Sequence, residues 1–140
     1  MYKSIFILSC IFFISCLNEK EIEKLNLGPL REEVIVENNV FKISYNEKRQ
    51  QPNWIEFKVR DITKVADRDG MDFYLIDDVR TSDNMDYKNN HWDKGHMAPA
   101  GSFTDSWENL YTTFSFLNCA LQIDQLNRGE WRELEEQNRL

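Results

Sequence analysis

Hydrophobic and polar positions change period several times along this chain, and the changes mark its elements. Residues 1–15 form an almost unbroken apolar run with one basic residue, Lys3, near its start. The run is too short to cross a bilayer comfortably and reads as a signal peptide outside the fold. Glu, Lys and Asn then predominate as far as Asn39, with scattered Leu and Ile. That composition buries little, so residues 16–39 are expected to be a tether. Apolar and polar residues alternate over Val40–Tyr45 and again over Trp54–Val59. Half-buried strands alternate in this way, and the polar stretch Asn46–Pro52 would turn between them.

Further on, Asp67-Arg68-Asp69-Gly70 reads as a turn and Phe73–Ile76 as a short apolar segment. Asp77–Asn90 is crowded with Asp, Asn, Ser and Lys and has no period, which predicts a long structured surface loop. Trp107, Leu110, Tyr111, Phe114 and Leu117 recur at spacings of three and four, one face of a helix with Asp105 or Ser106 as its cap. A second helix is expected to start near Asn127–Glu130 and to carry Trp131, Leu134 and Asn138 to the end of the chain. Strands followed by helices place the chain in the α+β class.

At 140 residues and 41% hydrophobic content the chain has material for one modest domain. Its apolar leader ends in Phe13-Ile14-Ser15-Cys16, which resembles a bacterial lipobox, so Cys16 is the expected lipidation site. The implied location is outside the cytoplasm: a membrane-anchored lipoprotein at the periplasmic or cell surface, with simple secretion as the alternative. Removal of residues 1–15 also removes Cys10 and leaves Cys119 alone for protein chemistry, which excludes a disulfide framework and a cysteine-rich zinc site. Without Lys3 the chain has 16 basic against 24 acidic residues, a net charge of −8. A passive nucleic-acid-binding module would be basic. An enzyme that releases a polyanionic product needs only local cations.

The segments that carry chemistry are Trp92-Asp93-Lys94-Gly95-His96-Met97-Ala98-Pro99-Ala100, Asn118-Cys119-Ala120-Leu121-Gln122, and Leu126-Asn127-Arg128-Gly129-Glu130-Trp131-Arg132-Glu133-Leu134-Glu135. Hydrolysis of a phosphodiester requires a base for the attacking water and positive charge for the phosphoryl and leaving oxygens. Of the two histidines, His91 and His96, the second follows a glycine and lies two residues from the cation Lys94. His96 is therefore the candidate base. His91 is expected to be structural or solvent-exposed. Alone, Asn127 would read as a helix N-cap and Glu135 as a solvated helix-face carboxylate.

The first block resembles the D-[RK]-G-H-[LM]-A-P signature of the DNA/RNA non-specific endonucleases, and the third resembles that family's L-N-x-G-x-W-x-x-L-E. The resemblance extends to Tyr45, Gln51-Pro52-Asn53-Trp54 and Asp86-Tyr87-Lys88, and covers about residues 41–138. DKGH alone is a weak signal, but Asn127 stands 31 residues after His96 and Glu135 a further eight on, which is specific. The resemblance implies a ββα-metal fold, with His96 at a strand or loop end and Asn127 on the following helix. It implies Asn127 as the ligand of Mg²⁺ or another divalent cation such as Mn²⁺, a role that fits an ion retaining most of its waters.

The resemblance further implies that Asp93, Asn118 and Gln122 support the site and that Arg68 contacts phosphate, while helix geometry gives Glu135 the role of orienting a metal-bound water rather than binding the ion. On one continuous helix Asn127 and Glu135 would stand about 80° and about 12 Å apart. The expected reaction is cleavage of DNA and RNA to 5′-phosphate products with recognition through the backbone.

This sequence departs from the family pattern in having Lys94 where arginine is commoner, which loses a bidentate fork, and Leu121 at a usual proline position. The family's sheet also continues over many tens of residues, so the fold is expected to be incomplete at its C-terminal side. Two rival readings are an inactive nuclease relic and a surface-lipoprotein interaction module built on the same fold.

Overall fold

The computed structural model describes residues 28–137. The apolar leader, Cys10 and Cys16 lie outside the described residues, as does Asn138.

Alternation along the chain becomes two antiparallel sheets among the described residues. The first comprises β1 (Val34–Glu37), β2 (Phe41–Asn46) and β3 (Gln51–Phe57) in chain order. Val34 stands opposite Tyr45 and Glu37 opposite Lys42; Phe41 stands opposite Phe57, and the register shifts between Ser44 and Tyr45. The second sheet pairs β4 (Trp92–His96) with β5 (Cys119–Ile123), His96 opposite Cys119. Gln51 links the two sheets, its side-chain carbonyl accepting the Leu121 N–H at 2.9 Å.

The inner face of β2, with Phe41, Ile43 and Tyr45, packs on Val79, Ala98, Phe103 and Leu117. A second cluster joins Ala66, Ala100, Leu110 and Phe114, with Phe73 and Tyr74 against it. The two clusters lie on either side of the chain around His96, since Ala98 belongs to one and Ala100 to the other.

Three expectations are corrected. The tether does not extend to Asn39, because Val34–Glu37 forms β1 and Arg31 is bound to Glu47. A carboxylate buried at 1% exposure needs charged donors, and the stretch before β1 supplies them. The Asp77–Asn90 stretch is not confined to the surface: Thr81 and Ser82 are each 1% exposed. Their polar atoms are satisfied inside, Thr81 Oγ1 donating to the Ser82 carbonyl at 2.9 Å and the Ser82 N–H donating to Tyr45 Oη at 3.2 Å. The helix read over Trp107–Leu117 stops early, as α1 (Trp107–Thr112).

Ser106 caps α1 by accepting the Asn109 N–H at 3.1 Å. At its other end Thr112 and Thr113 return their hydroxyls to the carbonyls of Glu108 and Leu110, a bond that competes with helix propagation. The chain then crosses to Tyr74 through a parallel bridge at Ser115 and makes a 3-10 turn over Phe116–Asn118. Leu110, Phe114 and Leu117 are buried, so the three-and-four spacing is satisfied by a helix, a bridge and a turn in succession.

Glu47 accepts the Arg31 N–H at 2.7 Å, Arg31 Nε at 3.0 Å, Arg31 Nη2 at 2.7 Å and the Arg80 N–H at 3.1 Å. The Arg31 hydrogen bond leads in holding its pKa down, at about 2. A lowered carboxylate contributes stability above its unfolded value, about 4.5, and loses it as pH falls toward the folded one. Glu47→Gln is therefore expected to lower stability by about 2 kcal/mol at pH 7 and to flatten the acid loss between about pH 4.5 and 2. Urea midpoints of both proteins across that range provide the check.

Candidate active site

His96 closes β4 at the point where the chain leaves the second sheet. Side chains alternate along β4, so Lys94 and His96 share one face while Asp93 and Gly95 share the other. On the first face the His96 ring lies 4.7 Å from the Phe73 ring and 4.8 Å from Phe114, edge-on to the latter. Its Nε2 is enclosed and has no hydrogen-bond partner. Burial among these rings, with Arg68 adding repulsion, pushes the His96 pKa down to about 3. The ring is thus neutral at physiological pH and keeps an acceptor lone pair on one nitrogen.

What holds His96 in place is Asn118. Its Oδ1 accepts the Ala98 N–H at 2.7 Å, and its Nδ2 donates to the Ala98 and Thr113 carbonyls at 2.9 Å each. The Met97 N–H donates to the Asn118 carbonyl at 2.9 Å. Asn118 is fully buried, and its amide is spent on the backbone around the site.

His96, Arg68 and Glu135 line one cleft of about 410 Å³, together with Arg60, Lys64 and Ser102. The structure therefore brings three of the sequence candidates to one place and adds two cations that the sequence reading did not single out. Both belong to the irregular stretch after β3, which has no motif to find. The stretch is tied in by the Val65 and Ala66 N–H groups, which donate to the Thr104 carbonyl at 2.8 and 2.9 Å.

Asn127 is placed differently. The helix carrying it is α2 (Asp124–Arg128), so Asn127 lies within a helix and is not its N-cap. A break at Gly129 separates α2 from α3 (Glu130–Gln137), which carries Glu135. The geometry of one continuous helix between Asn127 and Glu135 does not apply. The break requires glycine, since a Cβ at residue 129 would stand 2.7 Å from the Gln125 carbonyl oxygen.

Asn127 Nδ2 donates to Asp93 Oδ2 at 3.1 Å, and Arg128 grips the same carboxylate with Nε and Nη2 at 2.7 Å each. Arg128 leads in holding the Asp93 pKa down. These groups occupy the face of β4 opposite His96 and do not line its cleft. Gln122 covers Gly95 on that same face, where a Cβ would collide with the Gln122 side chain.

Lys94 is likewise engaged away from the cleft lining. Its Nζ pairs with Asp72 at 2.7 Å and lies 5.7 Å from the centres of the Phe73 and Phe116 rings. His91 is exposed, as expected.

The family described as DNA/RNA non-specific endonuclease matches residues 19–139. The chain belongs to that family. It is 30% identical over 98 residues to the mitochondrial nuclease EXOG of Danio rerio, covering 66% of this chain and 29% of that protein. Human mitochondrial endonuclease G is 28% identical over 104 residues, covering 71% and 35%. A nuclease of Syncephalastrum racemosum is 29% identical over 131 residues, covering 87% and 40%. Among solved structures, the crystal structure of the EndoG/EndoGI complex contains a chain that superposes with a TM-score of 0.69 at 27% identity, over 79% of this chain and 49% of that one. The ββα-metal nuclease fold expected from the signature is therefore the one present. The chain spans about a third of the length of the curated relatives it matches.

Two measurements test this geometry. Gly129→Ala is expected to cost about 1–3 kcal/mol, because backbone must move to admit the methyl group; an unchanged urea midpoint would remove the close approach at Gln125. In a histidine NMR titration of the protein without divalent ions, the His96 ring should remain neutral through pH 5. A histidine held neutral by the fold contributes stability that is full above its unfolded value, about 6.5, and is lost as pH falls toward 3.

Proposed function

We propose that this chain is a divalent-cation-dependent, sequence-non-specific nuclease that hydrolyses DNA and RNA phosphodiesters and leaves 5′-phosphates, with His96 as general base. The observation that carries this reading is the enclosed, unpartnered Nε2 of a neutral histidine in a cleft walled by Arg60, Lys64 and Arg68.

His96 takes the proton from an attacking water as the new oxygen–phosphorus bond forms and the bond to the 3′ oxygen breaks. Arg68 faces the developing charge on the phosphoryl oxygens. Glu135, on the same cleft wall, orients the water. The cleft contains cations and a histidine but no base-reading motif, in keeping with contacts to the backbone rather than to bases.

No group of three or more His, Cys, Asp or Glu able to hold a metal occurs among the described residues. A hydrated hard cation, which keeps most of its waters, needs only a single protein oxygen. Asn127 suits that role: Asp93 engages its Nδ2, which orients the amide and reserves Oδ1 as the acceptor. A cation bound there, Mg²⁺ or Mn²⁺, would supply positive charge for the bound phosphate chain. Lys94 supports the site through Asp72 and the Phe73 ring that His96 also touches.

The apolar leader and Cys16 support an exported, lipid-anchored enzyme, and the family match begins only after them, at residue 19.

His96→Ala is expected to reduce plasmid cleavage by about two to four orders of magnitude without loss of fold. Asn127→Ala should lose activity mainly through weaker cation binding, so that excess Mg²⁺ restores part of it while leaving His96→Ala unaffected. Equal response of the two variants would refute the division of roles. A wild-type protein that melts cooperatively and cleaves nothing would leave the relic or interaction-module reading in its place.

A further inference from the structure

Three aromatic rings form a parallel column beside the cleft. Tyr74 stacks on Tyr111 at 4.6 Å with an interplanar angle of 6°, and Tyr111 stacks on Trp107 at 4.8 Å and 10°. The base of the column is fixed by backbone: the Tyr74 N–H donates to the Phe114 carbonyl at 3.0 Å, and the Tyr74 carbonyl accepts the Phe116 N–H at 3.0 Å. Its top is open, because Trp107 remains 61% exposed although one of its faces lies on Tyr111. Trp107 and Tyr111 are four residues apart on α1 and therefore project from one side of the helix.

Hydrophobic packing accounts for Tyr74, which lies against the Leu110 cluster, but not for the exposed Trp107. An apolar residue that served the core would be buried, as Leu110 is on the same helix at 0% exposure. Rings held within 10° of parallel instead offer a flat, rigid face to another planar π system. The surroundings indicate which one. Leu110, between the two stacked residues of α1, lines the His96 cleft, and so does Thr104, three residues before Trp107. Arg60, also in that lining, pairs with Asp105 at 3.4 Å, two residues before Trp107. Asp105 in turn accepts both contacts of Asn109 Nδ2, on the platform helix. The open ring and the cations of the cleft thus belong to one continuous surface, and a planar base joined to a phosphate chain has both chemistries.

We propose that the outer face of Trp107 is a stacking subsite for an unpaired nucleobase of a strand whose phosphates run along Arg60, Lys64 and Arg68. This rests on the nuclease reading and extends it to a preference for single-stranded or locally opened substrate. In a duplex the face of each internal base is covered by its neighbours, so a ring can stack only on a base at an end or out of the stack.

The test uses the whole chain in EDTA, so that binding is measured without cleavage. The probes are an eight-nucleotide oligothymidylate, an abasic deoxyribose-phosphate oligomer of the same length, and a duplex long enough to make end effects small. The wild-type protein is expected to bind oligothymidylate with quenching of tryptophan fluorescence. Trp107→Leu should weaken that binding about ten-fold, as a lost base stack does, and change binding of the abasic probe and the duplex less than three-fold. Trp107→Phe should keep affinity within about three-fold while the quenching disappears, which separates stacking from a folding defect.

Equal binding of oligothymidylate by Trp107→Leu and wild type would overturn the subsite, as would wild-type affinity for the abasic probe matching that for oligothymidylate. Loss of a dimer in sedimentation on Trp107→Leu would assign the face to a second copy of the chain and overturn it too. In each of these cases the nuclease reading stands if the wild type still cleaves plasmid. A wild type that neither binds nor cleaves any nucleic acid would end both.

Discussion

The buried carboxamide of Asn118 is the interaction on which the site depends. It saturates its donors and its acceptor on the backbone of Ala98 and Thr113, joining the exit of β4 to the end of α1 at the start of β5. Each of those backbone groups is buried, and each would be orphaned by a shorter side chain, at about 1–3 kcal/mol apiece. The position of His96 follows from this clamp. With the chain pinned at residues 97–98, the His96 ring has little space except between Phe73 and Phe114, where burial keeps it neutral. The same clamp fixes the end of α1, and therefore the surface that α1 contributes to the cleft.

The acidic balance of the chain is compatible with the polyanionic substrate proposed above, because the cations of the cleft are paired locally. In the cleft lining Arg60 pairs with Asp105 and Lys64 with Asp67. Exposed pairs of this kind contribute little, so a phosphate can displace the carboxylate from a cation at small cost. Arg68, in the same cleft lining, opposes protonation of His96. A net negative chain can therefore present a cationic cleft.

Much of this was legible before the fold was known, for identifiable reasons. The family fold, with His96 at a strand or loop end, follows from the DKGH block taken with Asn127 and Glu135 at their spacing, and β2 and β3 follow from alternation. The parts that were not legible depend on contacts distant in sequence. Val34–Glu37 reads as tether because its pattern is short and its flanks are charged, yet it pairs with β2 and its neighbour Arg31 neutralises Glu47. Thr81 and Ser82 look like surface residues until Tyr45 and Tyr87 reach them. The helix period after Trp107 is genuine in burial but not in backbone, because Thr112 and Thr113 divert their hydroxyls into the preceding turn. Asn118 and Gln122 were assigned to the site by resemblance; the structure shows Asn118 acting on backbone and Gln122 acting on Gly95.

The signature itself has a physical explanation in the two faces of one short strand. Lys94 and His96 look toward Phe73, Phe114 and Phe116, where dry surroundings keep the imidazole neutral. Asp93 and Gly95 look the other way, the first orienting Asn127 and the second admitting Gln122. Both departures from the family pattern make sense on this strand pair. Lys94 reaches Asp72 as a single point charge over two aromatic rings, a position that does not call for a planar fork. Leu121 supplies the N–H that Gln51 accepts, a bond that proline could not make. The substitution therefore adds a tie between the two sheets, through a glutamine that lies within the stretch of sequence resembling the family.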